Sequence, residues 1–296
     1  MKASTSPARI QAGCILVGDE FRAPDQAVVS ALDSGFLLGD GIFESLRSYN
    51  GTPFQLKEHV ARLLTAAQST LIDNLPSAEE IERRVVETMR RSELVDAYIR
   101  ITVTRGVAAT SGSGSNRTTP TIVVAVLPLP LKIDDQSGRG IDCLLLHNWI
   151  DPQPTQKTTS RQPAVLAQQK VTAAACDEGL YVSPDGFVTE GIGSNVFLVK
   201  DKVVVTPPTN CCLAGITRQT VISIVEDEDS LSIAEAPITL EALLACDELL
   251  ITNSLRGLRA VITVDGKKVG SGARGPTFIL LAALYDHAIR PQSGTA

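Results

Sequence analysis

Residues 157–217 read KTTSRQPAVLAQQKVTAAACDEGLYVSPDGFVTEGIGSNVFLVKDKVVVTPPTNCCLAGIT, and three chemical groups sit along them at intervals. Lys157 closes a Pro- and Gln-rich loop ahead of a long helical segment. Glu190 ends a short apolar strand, Gly186-Phe187-Val188-Thr189-Glu190. Gly215-Ile216-Thr217 stands where a loop passes into a helix that begins near Arg218. A helix start offers unpaired N–H groups and the positive end of a dipole, so it attracts anions. Singly, each group is ordinary. A lysine after a loop is usually solvated, a glutamate ending a strand is usually an edge residue, and a threonine at a helix start is usually a cap.

Around this stretch the pattern alternates between strands and helices. Short strands are expected at residues 180–183, 187–190, 194–200 and 203–206, as consecutive antiparallel elements turning at Pro184-Asp185-Gly186 and Lys200-Asp201. A helix from about Ala164 to Glu178 precedes them, and a strand at 140–147 precedes Lys157. Helices at 218–226 and 239–245 follow, then strands at 248–253 and 260–264, and Gly275-Pro276 opens a last helix to about Ile289. Upstream, Leu127-Pro128-Leu129-Pro130-Leu131 and Asp134-Asp135-Gln136-Ser137-Gly138 form a linker that is stiff, then polar. The expected division is a smaller α/β domain at 1–127, a linker at 128–138 and a larger β-rich domain at 139–296, an α+β arrangement overall.

In the first domain, strands are expected at 9–17 and 41–49, the latter ended by the hairpin signal Asn50-Gly51. Leu56, Val60, Leu63, Leu64, Ala67 and Leu71 recur at helical spacing, so 56–71 is an amphipathic helix. Arg62 follows Glu58 by one turn, which suits a surface ion pair. Ser77, with Glu80 three residues on, signals a capped helix to about Arg91. Strands at 98–105 and 121–127 flank a polar loop containing Ser111-Gly112-Ser113-Gly114-Ser115-Asn116. Tyr98 and Arg100 alternate with Ile99, so they share one face of their strand.

At 296 residues, 44% apolar, the chain has material for two cores. It carries 27 basic and 33 acidic residues, a net charge of −6 with no basic run, which argues against a nucleic-acid partner. No apolar run approaches the roughly 18 residues of a membrane span, and the first residues lack a signal-like apolar core. The six cysteines form no C-x-x-C pair, which suits reduced thiols in a cytoplasmic protein. The three histidines, His59, His147 and His287, are too dispersed to indicate a metal site. There is no G-x-G-x-x-G after a strand, so a dinucleotide site is not expected.

Taken together, the following segments resemble the fold-type IV pyridoxal-phosphate enzymes: Gly39-Asp40-Gly41-Ile42-Phe43-Glu44, His59-Val60-Ala61-Arg62-Leu63, Tyr98-Ile99-Arg100, Val188-Thr189-Glu190-Gly191, Ser194-Asn195-Val196-Phe197, Thr206-Pro207-Pro208, Leu213-Ala214-Gly215-Ile216-Thr217-Arg218 and Asp247-Glu248. That group includes branched-chain and D-amino acid aminotransferases, R-selective amine transaminases and aminodeoxychorismate lyase. The resemblance implies pyridoxal 5′-phosphate bound as a Schiff base to Lys157, which then acts as general base and acid. It implies that Glu190 partners the pyridine nitrogen and that Leu213 packs on the ring. Arg62 and the Gly215-Ile216-Thr217 helix start would take the phosphate. Ser194, Asn195, Thr252, Asn253 and Ser254 are also assigned to the cofactor site. On the substrate side it points to Phe36, Tyr98, Arg100, Ser254, Leu255 and Arg256, with Arg259 adding positive charge that suits an acidic substrate. A homodimer is implied as well, since family sites are completed by the neighbouring subunit.

The pattern also departs from each subgroup. Arg161-Gln162 stands where branched-chain enzymes usually show Asn-Tyr, and Ala108 to Gly112 lacks the Arg-x-His of the D-amino acid enzymes. Phe36 falls where both often carry a tyrosine. Ser160-Arg161 and Thr252-Asn253-Ser254-Leu255 resemble the lyase, whereas Phe43-Glu44-Ser45-Leu46-Arg47 looks like an aminotransferase. The expected function is amino-group transfer from an amino acid or chiral amine to a 2-keto acid. The alternatives are the lyase reaction, releasing pyruvate and 4-aminobenzoate, and a non-catalytic cofactor-binding protein.

Overall fold

The computed structural model describes residues 12–107, 119–130, 139–148 and 155–289. The polar loop at 111–116, linker residues 131–138 and the start of the strand expected at 9–17 lie outside them. The chain divides into two compact units, Met1–Pro130 with Thr158–Ser160, and Leu131–Lys157 with Arg161–Ala296.

In the first unit the elements are β1 (Cys14–Val17), β2 (Glu20–Arg22), α1 (Ser34–Leu38), β3 (Gly41–Tyr49), β4 (Thr52–Pro53), α2 (Leu56–Ser69), α3 (Ala78–Ser92), β5 (Ala97–Thr104) and β6 (Thr121–Pro128). The described strands make a six-stranded sheet in the order β2-β1-β6-β5-β3-β4. Strict alternation along β5 and β6 puts Ile99, Ile101, Val103, Val124 and Val126 on one face. That face packs against Val60, Leu63 and Ala67 of α2 and Ile81, Val85 and Met89 of α3. The hairpin signal is realised: Tyr49 pairs with Thr52, and Asn50 and Gly51 both take positive φ, 49° and 84°. Ser77 caps α3, accepting the Glu80 N–H at 3.3 Å. Thr159 donates its N–H to Gly41 O at 2.8 Å and its hydroxyl to Gly39 O at 2.7 Å, so the residues after Lys157 count with this unit.

The second unit contains β7 (Ile141–His147), α4 (Gln162–Ala173), β8 (Glu178–Val182), β9 (Phe187–Gly191), β10 (Asn195–Lys200), β11 (Val203–Thr206), α5 (Ile216–Glu226), β12 (Ser232–Glu235), β13 (Ile238–Thr239), α6 (Leu240–Leu244), β14 (Glu248–Asn253), β15 (Gly257–Val264), β16 (Lys267–Lys268) and α7 (Pro276–Ile289). Its sheet runs β12-β11-β10-β14-β15-β7-β8-β9-β13, with β16 on β15. The strands β8, β10 and β14 are buried almost continuously, because both sheet faces are covered. One face holds Val182, Val188, Val196, Leu249, Ile251 and Val261; the other packs Phe197, Val204 and Leu250 against α5 and α7.

Two expectations change here. The strands after Lys157 are not a simple antiparallel succession. The strands β8 and β9 are antiparallel neighbours, but β10 pairs with β11 and β14, and β7 is parallel to both β8 and β15. Local turn signals could not reveal this, since pairing is decided by which edges the two packed faces leave available. The helix after Lys157 starts and ends earlier than expected, and Glu178 opens β8 instead of closing α4. Asp247 and Glu248 have structural work. Asp247 takes the Lys200 ammonium at 2.8 Å and the Asp201 N–H at 2.9 Å, while Glu248 caps α7 through Thr277 and Phe278, both at 2.8 Å.

Truncating Phe197, which is fully buried, is expected to cost about 3–5 kcal/mol. Removing the α3 cap by Ser77→Ala should cost about 1 kcal/mol. Urea unfolding of the two variants checks the ranking; a smaller loss for Phe197→Ala than for Ser77→Ala would refute the core assignment.

Candidate functional site

In the second unit, the groups singled out around the α5 start are held by three sets of hydrogen bonds. The Leu213 peptide is held from both ends. Its N–H donates to Glu190 Oε2 at 3.0 Å, and its carbonyl accepts from Asn195 Nδ2 at 2.8 Å. Two residues on, Gly215 opens α5 without any side-chain cap bond. A Cβ at Gly215 would collide with Asn195 Oδ1, so only glycine lets the helix start lie this close to β10. Thr217 is buried in the first turn, with its hydroxyl 3.4 Å from that of Ser254. Asn253 Oδ1 accepts the N–H groups of Leu255 at 3.1 Å and Arg256 at 2.8 Å, so in this turn Ser254 is the residue directed at α5.

Two further hydroxyls point to a polar ligand. Ser194 Oγ and Thr252 Oγ1 are buried without a hydrogen-bond partner among the described residues. Buried hydroxyls are normally bonded, so each of these two is a donor left available for a polar group. Gly191 keeps this corner tight: its N–H meets Ser194 O at 2.7 Å, and a Cβ there would strike Ser194 Oγ. Lys157 is half-buried in the segment leading into α4, and Arg161 fixes that segment by donating to Ile192 O at 3.0 Å.

The thiols beside Glu190 are kept protonated. Burial first, then the Glu190 charge, pushes Cys212 up to about 12, and the same two causes raise Cys211. Neither is a nucleophile at neutral pH. Arg218, next to Thr217, turns away from the helix start. It donates to Pro207 O at 2.8 Å and to Glu235, fastening α5 to β11 and β12. Arg259 is buried on β15 near Glu178, where burial and then Arg256 lower its pKa. Burial raises that of Glu178, and both arginines pull it back.

In the first unit, Arg62 does not take the Glu58 pairing its spacing offered. Its Nε and Nη2 grip both oxygens of Glu44, each at 2.7 Å, and His59 Nδ1 donates to Glu44 Oε2 at 2.8 Å. His59 and Arg62 meet the same carboxylate because they lie one turn apart on α2. Glu44 sits on the helix-covered face of β3 between Ile42 and Leu46, so no pattern in its own strand announces the pair. Burial alone would raise its pKa; the bonds from His59 and Arg62 override this and lower it to about 2. On the opposite face, Tyr98 and Arg100 lie side by side as their alternation requires. The Arg100 guanidinium stacks 3.8 Å above the Phe43 ring and its Nε donates to Thr102 at 3.1 Å, while the Tyr98 and Ser45 hydroxyls are 3.4 Å apart. Phe36, on α1, is exposed.

A family model described as amino-transferase class IV matches residues 41–264. The chain is 37% identical over 259 residues to a Methanocaldococcus jannaschii protein named "Putative branched-chain-amino-acid aminotransferase", spanning 87% of this chain and 90% of that one. It is 31% identical over 263 residues to a D-alanine aminotransferase of Bacillus licheniformis, spanning 88% and 92%. Among solved structures, the T.th. branched-chain amino acid aminotransferase with pyridoxamine 5′-phosphate matches with a TM-score of 0.87 at 27% identity, over 96% of this chain and 97% of that one.

The Glu44 carboxylate makes stability pH-dependent with a defined sign. Its pKa falls from an ordinary 4.5 to about 2 on folding, so its contribution is complete above 4.5 and is lost as pH falls towards 2. Denaturant midpoints measured from pH 5 to pH 2 should therefore fall less steeply in Glu44→Gln than in the parent protein.

Proposed function

The chain belongs to the class IV aminotransferases, and we propose that it moves an amino group from an amino acid or chiral amine to a 2-keto acid, with Lys157 as the residue that holds its pyridoxal phosphate. The observation carrying this reading is the Leu213 peptide pinned between Glu190 and Asn195, with the uncapped α5 start and Thr217–Ser254 following directly.

The residues present fit the cofactor. An uncapped helix start suits a phosphate, and glycine at 215 lets it approach the backbone. The orphan hydroxyls of Ser194 and Thr252 supply donors in a buried place. When bound, pyridoxal phosphate supplies an electron sink for the charge that develops at the substrate α-carbon. In this reading Lys157 would be the amine that tethers the cofactor and, once free, would move the proton at the substrate α-carbon. Glu190 would be the carboxylate that keeps the pyridine nitrogen protonated; its bond to the Leu213 N–H holds the carboxylate in place. Leu213 covers the ring, and Asn195 and Asn253 hold the two turns that carry Leu213 and Ser254. In the second unit Ile216, Thr217 and Ser254 would take the phosphate, and Leu255 and Arg256 are assigned to the substrate. In the first unit the family resemblance assigns Arg62 to the phosphate, and Phe36, Tyr98 and Arg100 to the substrate. The stacked, half-buried Arg100 is the group suited to a carboxylate, and the neighbouring Tyr98 to the substrate body.

We read the assembly as a homodimer. The segment 28–38 exposes Val28, Leu32, Phe36, Leu37 and Leu38, all well over half accessible except Leu37 at 55%. An apolar run this dense is uncommon on a monomer surface. Among the described residues no helix is long and apolar enough to cross a membrane.

Incubation with a panel of amino donors and either pyruvate or 2-oxoglutarate is expected to give amino transfer. Pyruvate release from aminodeoxychorismate without any transfer would favour the lyase reaction instead. Lys157→Ala should lose the yellow colour of the tethered cofactor, and with it at least about 100-fold in rate, the usual scale for removing a general base. An unchanged absorption spectrum would show that another lysine holds the cofactor. Light scattering at micromolar concentration should give the mass of two chains.

A further inference from the structure

We propose that Arg259 forms a small-anion site inside the second unit, on the sheet face away from α5, that holds one monovalent anion such as chloride or a compact carboxylate. The proposal does not rest on the cofactor assignment.

Placement is the first argument. Arg259 is the third residue of β15 and pairs with Ile251 of β14. Ile251 and Val261 belong to the apolar layer that also holds Ile141, Cys143, Leu180 and Val196. Alternation along β15 sends Arg259 into that layer, whereas Leu258 and Ala260 pack on the other face with α5 and α7. Arg259 is only 6% exposed.

Unmet hydrogen bonding is the second argument. Nε and Nη1 of Arg259 are buried without a partner among the described residues. These two nitrogens lie on different edges of the guanidinium, so neither edge is engaged as a fork. Buried polar groups are normally bonded, and a buried charge is normally paired. A lysine in such a place could shed its proton, but an arginine keeps its charge and needs an anion.

The surrounding charges narrow the ligand. Burial and then Arg256 act against the Arg259 charge, while Asp177 and Glu178 favour it from a distance. Both acids are committed elsewhere. Asp177 accepts the Asp142 N–H at 3.0 Å and Arg139 Nη2 at 3.2 Å, and Glu178 accepts the Gly179 N–H at 3.2 Å. One positive charge is therefore left without a contact partner among the described residues, and one monovalent anion matches it. A doubly charged anion would bring surplus negative charge close to Asp177 and Glu178. The apolar neighbours Ile251 and Val261 favour a compact ion over one that needs many donors.

The test uses the full-length protein saturated with pyridoxal phosphate, which keeps added anions off the α5 start. Chloride replaces gluconate at constant ionic strength while the thermal midpoint is followed, and formate replaces gluconate in a second arm. The midpoint should rise saturably, by about 2–4 °C in all, because the anion binds the folded state alone. Arg259→Met should abolish the rise. Crystals soaked in bromide should show an anomalous peak within hydrogen-bond reach of Arg259, and this measurement carries the test if Arg259→Met does not fold. A rise with formate and none with chloride assigns the site to carboxylates. If neither anion raises the midpoint, or if Arg259→Met responds as the parent does, the site is overturned, and the proposed amino transfer is untouched by that result.

Discussion

The second unit depends on a single peptide group. Leu213 lies in the loop between β11 and α5, and its N–H and C=O are each claimed by a side chain from the sheet. Glu190 reaches it from β9 and Asn195 from β10, strands that do not pair with each other in the sheet. The loop therefore cannot shift without breaking two part-buried bonds, each worth about 1 kcal/mol. Because Gly215 follows two residues later, the start of α5 is placed by the same constraint. A carboxylate, an amide and a helix start are thus set to one another through backbone atoms, more rigidly than three side chains on separate loops would be.

The first unit meets a different problem, a charge inside a hydrophobic layer. Glu44 points into the same layer as Ile42, Leu46, Ile99 and Ile101. It is tolerated there because α2 delivers two donors from consecutive turns, and their bonds outweigh desolvation. The opposite face of the sheet is handled more cheaply. There Arg100 rests on Phe43 and keeps its charge near solvent, an arrangement worth about 1 kcal/mol. One sheet thus carries two arginines in opposite states, Arg62 clamped by a buried anion and Arg100 stacked on a ring.

Several features were legible in the sequence because they are local. Asn50-Gly51 demands positive φ twice and forms the expected turn. Ser77 with Glu80 marks a helix start that is capped as expected. Ile99 between Tyr98 and Arg100 assigns faces by alternation alone. Other features were not legible, because they join distant segments. Glu58 was the only carboxylate in helical register with Arg62, yet the partner is Glu44, eighteen residues away on a strand. Asp247 and Glu248 stood among the family-like motifs, and their observed duties are a turn and a helix cap. Lys200-Asp201 read as a tight turn, but nothing in it disclosed that Asp247 bonds to it.

The amino-acid order by itself determined the period of each helix and strand, the turn chemistry, and the family resemblance in which Lys157, Glu190 and Gly215-Ile216-Thr217 recur in order. These follow from residue type and spacing, which act within a few residues of one another. Tertiary structure alone decided that β7 lies parallel to β8 and β15, that β9 and β10 are not partners, and that Leu213 is held from both sides. The reason is that strand pairing and buried polar bonds are settled by competition among all the faces and edges that must be covered at once. A short segment carries no record of the partner that wins.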